Sequence, residues 1–139
     1  MYPTFRIFDA PSRETCTVDR PRTNTPLQAL VTLNDPAFVE AARVFGERIM
    51  RQAGNSLDEK LTFAFRSTLA RRPDQAERRI LEQIYTKQLA KYQANKQAAA
   101  DLIQHGEYPV PSDLAVPQLA AWSTVANVLL NLDETITRE

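Results

Sequence analysis

The sequence predicts an all-α fold: a single compact bundle of about six helices with an irregular N-terminal arm. Three observations predict it. Helix-start chemistry recurs along the chain, at Thr25-Pro26, Asp35-Pro36, Ser56 with Glu59, and Asp74 with Glu77. Between these starts, apolar residues return every three or four positions, which is the helical period. Only three glycines stand against nine prolines, with 43% of residues hydrophobic, and that suits proline-punctuated helices better than strands.

In order along the chain, residues 1–24 read as the arm and residues 25–139 as the helical body. Pro3, Pro11 and Pro21 interrupt the arm, while Phe5, Ile7 and Phe8 are placed to anchor it. Asp9 to Ser12 is turn chemistry, and Ser12 to Cys16 suits one helical turn. Thr25 then opens a short helix with Pro26 at its first position, where the missing N–H is no loss. Leu27, Leu30 and Val31 share one face of it as an apolar ridge. Asp35-Pro36 repeats the start signal, and a proline disfavours helical geometry in the residue before it. The expectation is therefore a short helix, a sharp corner and a long helix to about Ala53.

The long helix carries Phe38, Ala42, Phe45 and Ile49 as its apolar stripe, widened by Val39 and Met50. Glu40, Arg43, Glu47 and Arg51 line another face at spacings that permit mutual pairing. Gly54 stands where a left-handed helix end belongs. Ser56 to Glu59 is a capping box opening a helix to about Ala70, with Leu61, Ala64, Phe65 and Leu69 inward. After Pro73, a second box at Asp74 to Glu77 starts a helix that turns Ile80, Leu81, Ile84, Tyr85, Leu89 and Tyr92 to the core. Asn95 caps a short helix with Ala98, Ala99, Leu102 and Ile103, ended by Gly106. Glu107 to Val116, with Pro109 and Pro111, reads as an extended crossing segment. Pro117 opens the last helix, where Trp122, Val125, Ala126, Leu129 and Leu130 face inward. Asn131 to Asp133 ends or bends it, and Thr135 to Glu139 makes a final turn.

Composition bounds the function. The 139 residues suit one domain with a modest core. Seventeen basic residues balance seventeen acidic ones, so no global field favours nucleic acid or an anionic membrane. The one cysteine, Cys16, excludes an internal disulfide and any CxxC or CxxCH motif. No apolar run reaches membrane-spanning length, and MYPTFRIF lacks a signal peptide's apolar core. The chain as given is expected to be soluble, with no membrane insertion and no export signal of its own.

The motifs FDAPSRETC, RPRTNTPLQALVTLNDP and LLNLDETITRE, in this order, carry a family resemblance. The chain resembles the C-terminal domain of unknown function in large secreted or surface proteins found mainly in planctomycetes. Those proteins usually also carry a cytochrome-c-like segment and a second uncharacterised domain. The resemblance runs from Phe8 to Glu139 and implies the C-terminal part of a larger, extracytoplasmic protein, with the other domains of that polypeptide as partners. The haem motif belongs to another part of those proteins and is absent from this chain, so no cofactor is carried over. The family has no assigned activity and supplies no catalytic residues.

Read from the residues, the densest polar cluster surrounds the first helix start. Arg13, Arg20, Arg22, Asn24 and Gln28 are the candidate ligand-binding residues, with Glu14, Thr23 and Thr25 beside them. Arginines at a helix N-terminus suit a carboxylate, sulfate, phosphate or acidic saccharide. The same residues also make a structural network, with arginines on Glu14, Asp19 and Asp35, and Asn24 and Thr25 on loop backbone. That second reading carries more weight. Cys16 lacks a nearby base, since His105 is distant in sequence, and His105 itself suits a helix end better than a metal. No HxxxH or HExxH motif is present, so no metal is expected.

Asp133 and Glu134, with Asp35 and Glu40, are the carboxylates to weigh as a glycosidase pair, although helix-end carboxylates usually cap. Such a pair predicts two carboxyls in one cleft with one pKa raised. Arg71, Arg72, Arg78 and Arg79 form a basic patch diluted by Asp74, Glu77 and Glu82, which reads as a solvated face rather than a nucleic-acid site. The favoured function is a non-catalytic helical docking or ligand-binding module. The alternative is a subsite-contributing part of an extracytoplasmic enzyme acting on polysaccharide.

Overall fold

The computed structural model describes residues 7–8 and 25–136. Among them are seven helices and no strand: α1 (Pro26–Asn34), α2 (Pro36–Gln52), α3 (Leu57–Leu69), α4 (Gln75–Ala94), α5 (Lys96–Ile103), α6 (Val116–Leu130) and the single turn α7 (Asp133–Ile136). The all-α expectation holds. The anchoring role of Phe5, the turn at residues 12–16, most of the arm and residues 137–139 of the final turn lie outside the described residues.

The predicted caps form as drawn. The Thr25 hydroxyl accepts from the Gln28 amide at 3.3 Å, and the Asp35 carboxylate accepts from the Ala37 amide at 2.9 Å. Asp35 is extended, with φ −65° and ψ 129°, so the chain turns a corner between α1 and α2. Ser56 with Glu59 and Asp74 with Glu77 each make reciprocal capping boxes, and the Asn95 side chain caps α5. Gly54 is the exception. Among the described residues, the left-handed ones are Ala70, which ends α3, and Gly106. A side chain at Gly54 would instead run into the Glu59 carboxylate, which folds back onto Ser56.

α6 is the centre of the bundle. Leu119, Ala120, Ala121, Trp122 and Ser123 are buried in succession, followed by Val125, Ala126 and Leu129. Burial on every side marks a helix surrounded by others, not an amphipathic helix with one wet face. Its widest contact is with α2, and α4, α5 and α3 close around it. One core cluster joins Ala42, Ile49, Leu61, Phe65, Leu81 and Trp122, and a second joins Tyr92, Ala99, Ile103 and Leu119. α6 contributes to both. Ile80, expected inward, is 56% exposed, because the stripe of α4 runs through Leu81 and Tyr92 instead.

α2 and α6 touch at Gly46, where an added Cβ would lie 2.9 Å from the Ser123 amide nitrogen. Hydrogen belongs there because backbone meets backbone.

The exposed ends are tied by ions. Arg71 bridges Glu77 and Glu134, joining the end of α3 to α4 and α7, and it lies over the Phe65 ring at 4.8 Å. Its hydrogen bonds hold both carboxyls below the usual range. The folded-state values thus lie below the unfolded ones, and the unfolded chain binds protons more readily. The contribution is complete above the ordinary carboxylate range and is lost as pH falls through the depressed values. Melting temperatures followed from about pH 6 to about pH 3 are expected to fall. The fall should be shallower in Arg71→Met, and equal slopes would show that the hub contributes nothing.

Candidate functional site

The candidate site starts at α1, whose polar and apolar sides are inverted relative to the bundle. Gln28 is 1% exposed and Thr32 is buried, while Leu27, Leu30 and Leu33 are 53%, 58% and 44% exposed. Hydrogen bonding explains the inversion. Gln28 Oε1 accepts from the Thr25 amide at 2.7 Å, and its Nε2 donates to the Ile7 carbonyl at 2.8 Å. The Thr32 hydroxyl meets the Asn131 side-chain oxygen at the end of α6, and Asn131 Nδ2 donates to the Asn127 carbonyl. Phe8 packs at a tilt beside Phe38, with ring centroids 6.0 Å apart. The ridge of leucines therefore faces outward. Sequence periodicity shows a shared face but cannot say which way that face turns.

Of the ligand-binding candidates, Arg13, Arg20, Arg22 and Asn24 lie outside the described residues, as does Cys16. Gln28 is described, and its amide links the α1 cap to the arm at Ile7.

A second construction lies on α2. Glu40, Arg43, Glu47 and Arg51 do not simply pair with one another. Only Arg51 and Glu47 do so, at 2.9 Å. Glu40 accepts from the amides of Glu107 and Tyr108, each at 2.9 Å. Arg43, 1% exposed, donates to the carbonyls of Tyr108 at 2.7 Å and Pro109 at 3.2 Å. Arg51 grips Asp113 through two bonds of 2.8 Å. The face reaches across to the predicted crossing segment, which runs as an irregular strap from His105 to Ala115. From Gly106 to Leu114 the strap makes no backbone hydrogen bond to a helix, so side chains of α2 supply both an acceptor and donors.

Gly106 opens this strap with φ +93°, and a Cβ there would collide with the Glu40 carboxylate. Gly106→Ala is expected to destabilise by about 1–2 kcal/mol or more, from left-handed strain plus loss of the Glu40 bonds. Urea unfolding measures the loss, and limited proteolysis should cut the strap faster than in wild type. Unchanged values in both would dismiss the clamp.

The carboxylates weighed for glycoside hydrolysis have other work. Asp35 caps α2, Glu40 holds the strap, and Glu134 pairs with Arg71, which lowers its pKa rather than raising it. Asp133 begins the last turn. His105 places Nδ1 2.8 Å from the Asp101 carbonyl, so that nitrogen carries the proton and donates to the end of α5. Arg78 of the basic patch pairs with Asp58 at 2.6 Å. Among the described residues, no group of three or more His, Cys, Asp or Glu side chains could hold a metal, and no helix is long and apolar enough to cross a membrane.

Open grooves flank the bundle. One of about 650 Å³ is bordered by Gly54, Glu59, Phe63, Arg66 and Arg72. Another, of about 520 Å³, runs along α2 past Ala37, Ala41, Val44 and Phe45. The first also has Ser67 and Asp58 on its border, but the Ser67 hydroxyl donates to the Phe63 carbonyl, Asp58 pairs with Arg78 and Glu59 folds onto Ser56.

The sequence model of a family described as PSD1, a protein of unknown function (DUF1553), matches residues 1–85, more than half of the chain. The chain belongs to the DUF1553 family. No curated protein and no solved structure matches it. The DUF1553 match takes in the arm, the corner at Asp35 and the first capping boxes. It ends inside α4, before the strap and α6. LLNLDETITRE, the third motif of the resemblance, lies beyond the matched residues.

Proposed function

We propose that this DUF1553 chain is a non-catalytic helical module that docks, through the outward leucines of α1, onto another domain of the same polypeptide. The observation that carries the reading is the exposure of Leu27, Leu30 and Leu33 on a helix that buries Gln28 and Thr32. α1 has no charged residue in PLQALVTLN, so its face suits an uncharged, apolar partner surface and not an acidic or basic one. The setting of a large secreted protein with a cytochrome-c-like segment belongs to the same proposal. So does an anionic or saccharide ligand held by Arg13, Arg20, Arg22 and Asn24, beside the arm anchor at Gln28.

The test is Leu27→Gln, Leu30→Gln and Leu33→Gln combined. Stability is expected to stay within about 0.5 kcal/mol per site of wild type, because these side chains already face water. Binding of a hydrophobic dye should fall, and residues 26–34 should exchange amide hydrogens more slowly in the wild-type chain joined to its neighbouring domains than in the chain alone. A triple variant that unfolds, or equal exchange in both settings, would remove the docking face.

A further inference from the structure

Two polar atoms of α2 are buried without a protein partner: Arg43 Nε and Glu47 Oε2. They stand four residues apart on one helix, so their side chains leave the same face roughly 5–6 Å from each other. The other atoms of both groups are committed. Arg43 sends its two terminal nitrogens to the Pro109 and Tyr108 carbonyls, with its guanidinium carbon 5.7 Å from the Tyr108 ring centre. Glu47 gives Oε1 to Arg51. Swinging the guanidinium onto Glu47 would release the strap carbonyls.

The two atoms are opposite in kind. Arg43 Nε–H only donates, and a carboxylate oxygen only accepts. A ligand serving both must accept one hydrogen bond and donate another. A metal cation cannot donate a hydrogen and is repelled by Arg43. An inorganic anion such as phosphate meets the charge of Glu47. Water does both in the smallest volume, and buried water typically joins such leftover polar groups.

We infer that one ordered water molecule, bridging Arg43 Nε to Glu47 Oε2, is a fixed part of the seat beneath the strap. A crystal structure at a resolution that shows ordered solvent should place it about 2.7–3.2 Å from both atoms. In solution, the Arg43 Nε–H proton should be protected from exchange and show a cross-relaxation peak to a long-lived water. Glu47→Leu removes the acceptor, and that exchange should accelerate roughly tenfold or more. Arg78→Met, which removes only an exposed pair with Asp58 away from the strap, should not change it. A direct Arg43 Nε–Glu47 bond in the crystal, separate partners for the two atoms, or equal exchange in Glu47→Leu and wild type would each overturn the inference.

Discussion

Trp122→Ala is expected to cost about 3–5 kcal/mol, measured by urea unfolding. Chains of this size are typically stable by about 5–15 kcal/mol, so the variant should be close to unfolding at moderate temperature. The cause is position as well as size. Trp122 is 1% exposed at the middle of α6 and lies against Tyr85, with ring centroids 4.5 Å apart. It touches the cluster that joins α2, α3 and α4 to α6, and rigid helices cannot all close on the space left behind. A second readout comes from Tyr85, whose phenol is pushed up by burial. Trp122 opposes that rise through a hydrogen bond, so Trp122→Ala removes a lowering contact while admitting water to the ring, and the direction in which the Tyr85 titration moves reports which effect is larger. A loss below about 1 kcal/mol would mean that this cluster is not the core.

Gly46→Leu is expected to prevent α2 and α6 from meeting. Even alanine places its Cβ 2.9 Å from the Ser123 nitrogen, 3.1 Å from the Trp122 carbonyl carbon and 3.2 Å from the Ser123 Cα, all of them backbone. No side chain can swing aside, so the helices must separate. Alanine in a helix gains about 1 kcal/mol over glycine, but overpacking typically costs about 1–3 kcal/mol, so Gly46→Ala should be a net loss. Leucine adds three more carbons at the same contact and should abolish cooperative thermal unfolding. Wild-type melting of Gly46→Leu would disprove the close approach.

These two residues show where sequence reasoning works and where it stops. Trp122 stands out because it shares a helical stripe with Val125, Ala126 and Leu129, and tryptophan is highly buried on average. Gly46 gives no such signal, since a glycine inside a helix pattern looks like a mere weakness until the neighbouring helix is known. Arg43 is harder still. Its spacing to Glu47 suggests a surface pair, yet it is buried and bonded to carbonyls more than sixty residues away. No local pattern predicts that pairing. The Pro109 and Pro111 that mark the strap as irregular do imply that its backbone needs outside partners.

The candidate site divides the same way. The helix start at Thr25 and the corner at Asp35 are readable from one dipeptide each, Thr25-Pro26 and Asp35-Pro36, because a cap involves atoms only two or three residues apart. The reciprocal bond from Gln28 also follows a local rule, and it was available in the Thr25 to Gln28 spacing. The outward turn of Leu27, Leu30 and Leu33 was not. It depends on Asn131 and Ile7 taking the polar side of α1 inward.

Helix positions, their capped ends and the break between α1 and α2 follow from local chemistry in the chain alone, because hydrogen bonds within a turn and fixed proline geometry do not wait for distant partners. The tertiary structure alone decided which face of α1 meets water, that α6 is enclosed on all sides, and that a buried arginine holds the strap. Each of these depends on groups far apart in sequence meeting within a few ångströms, and only the packed chain sets those distances.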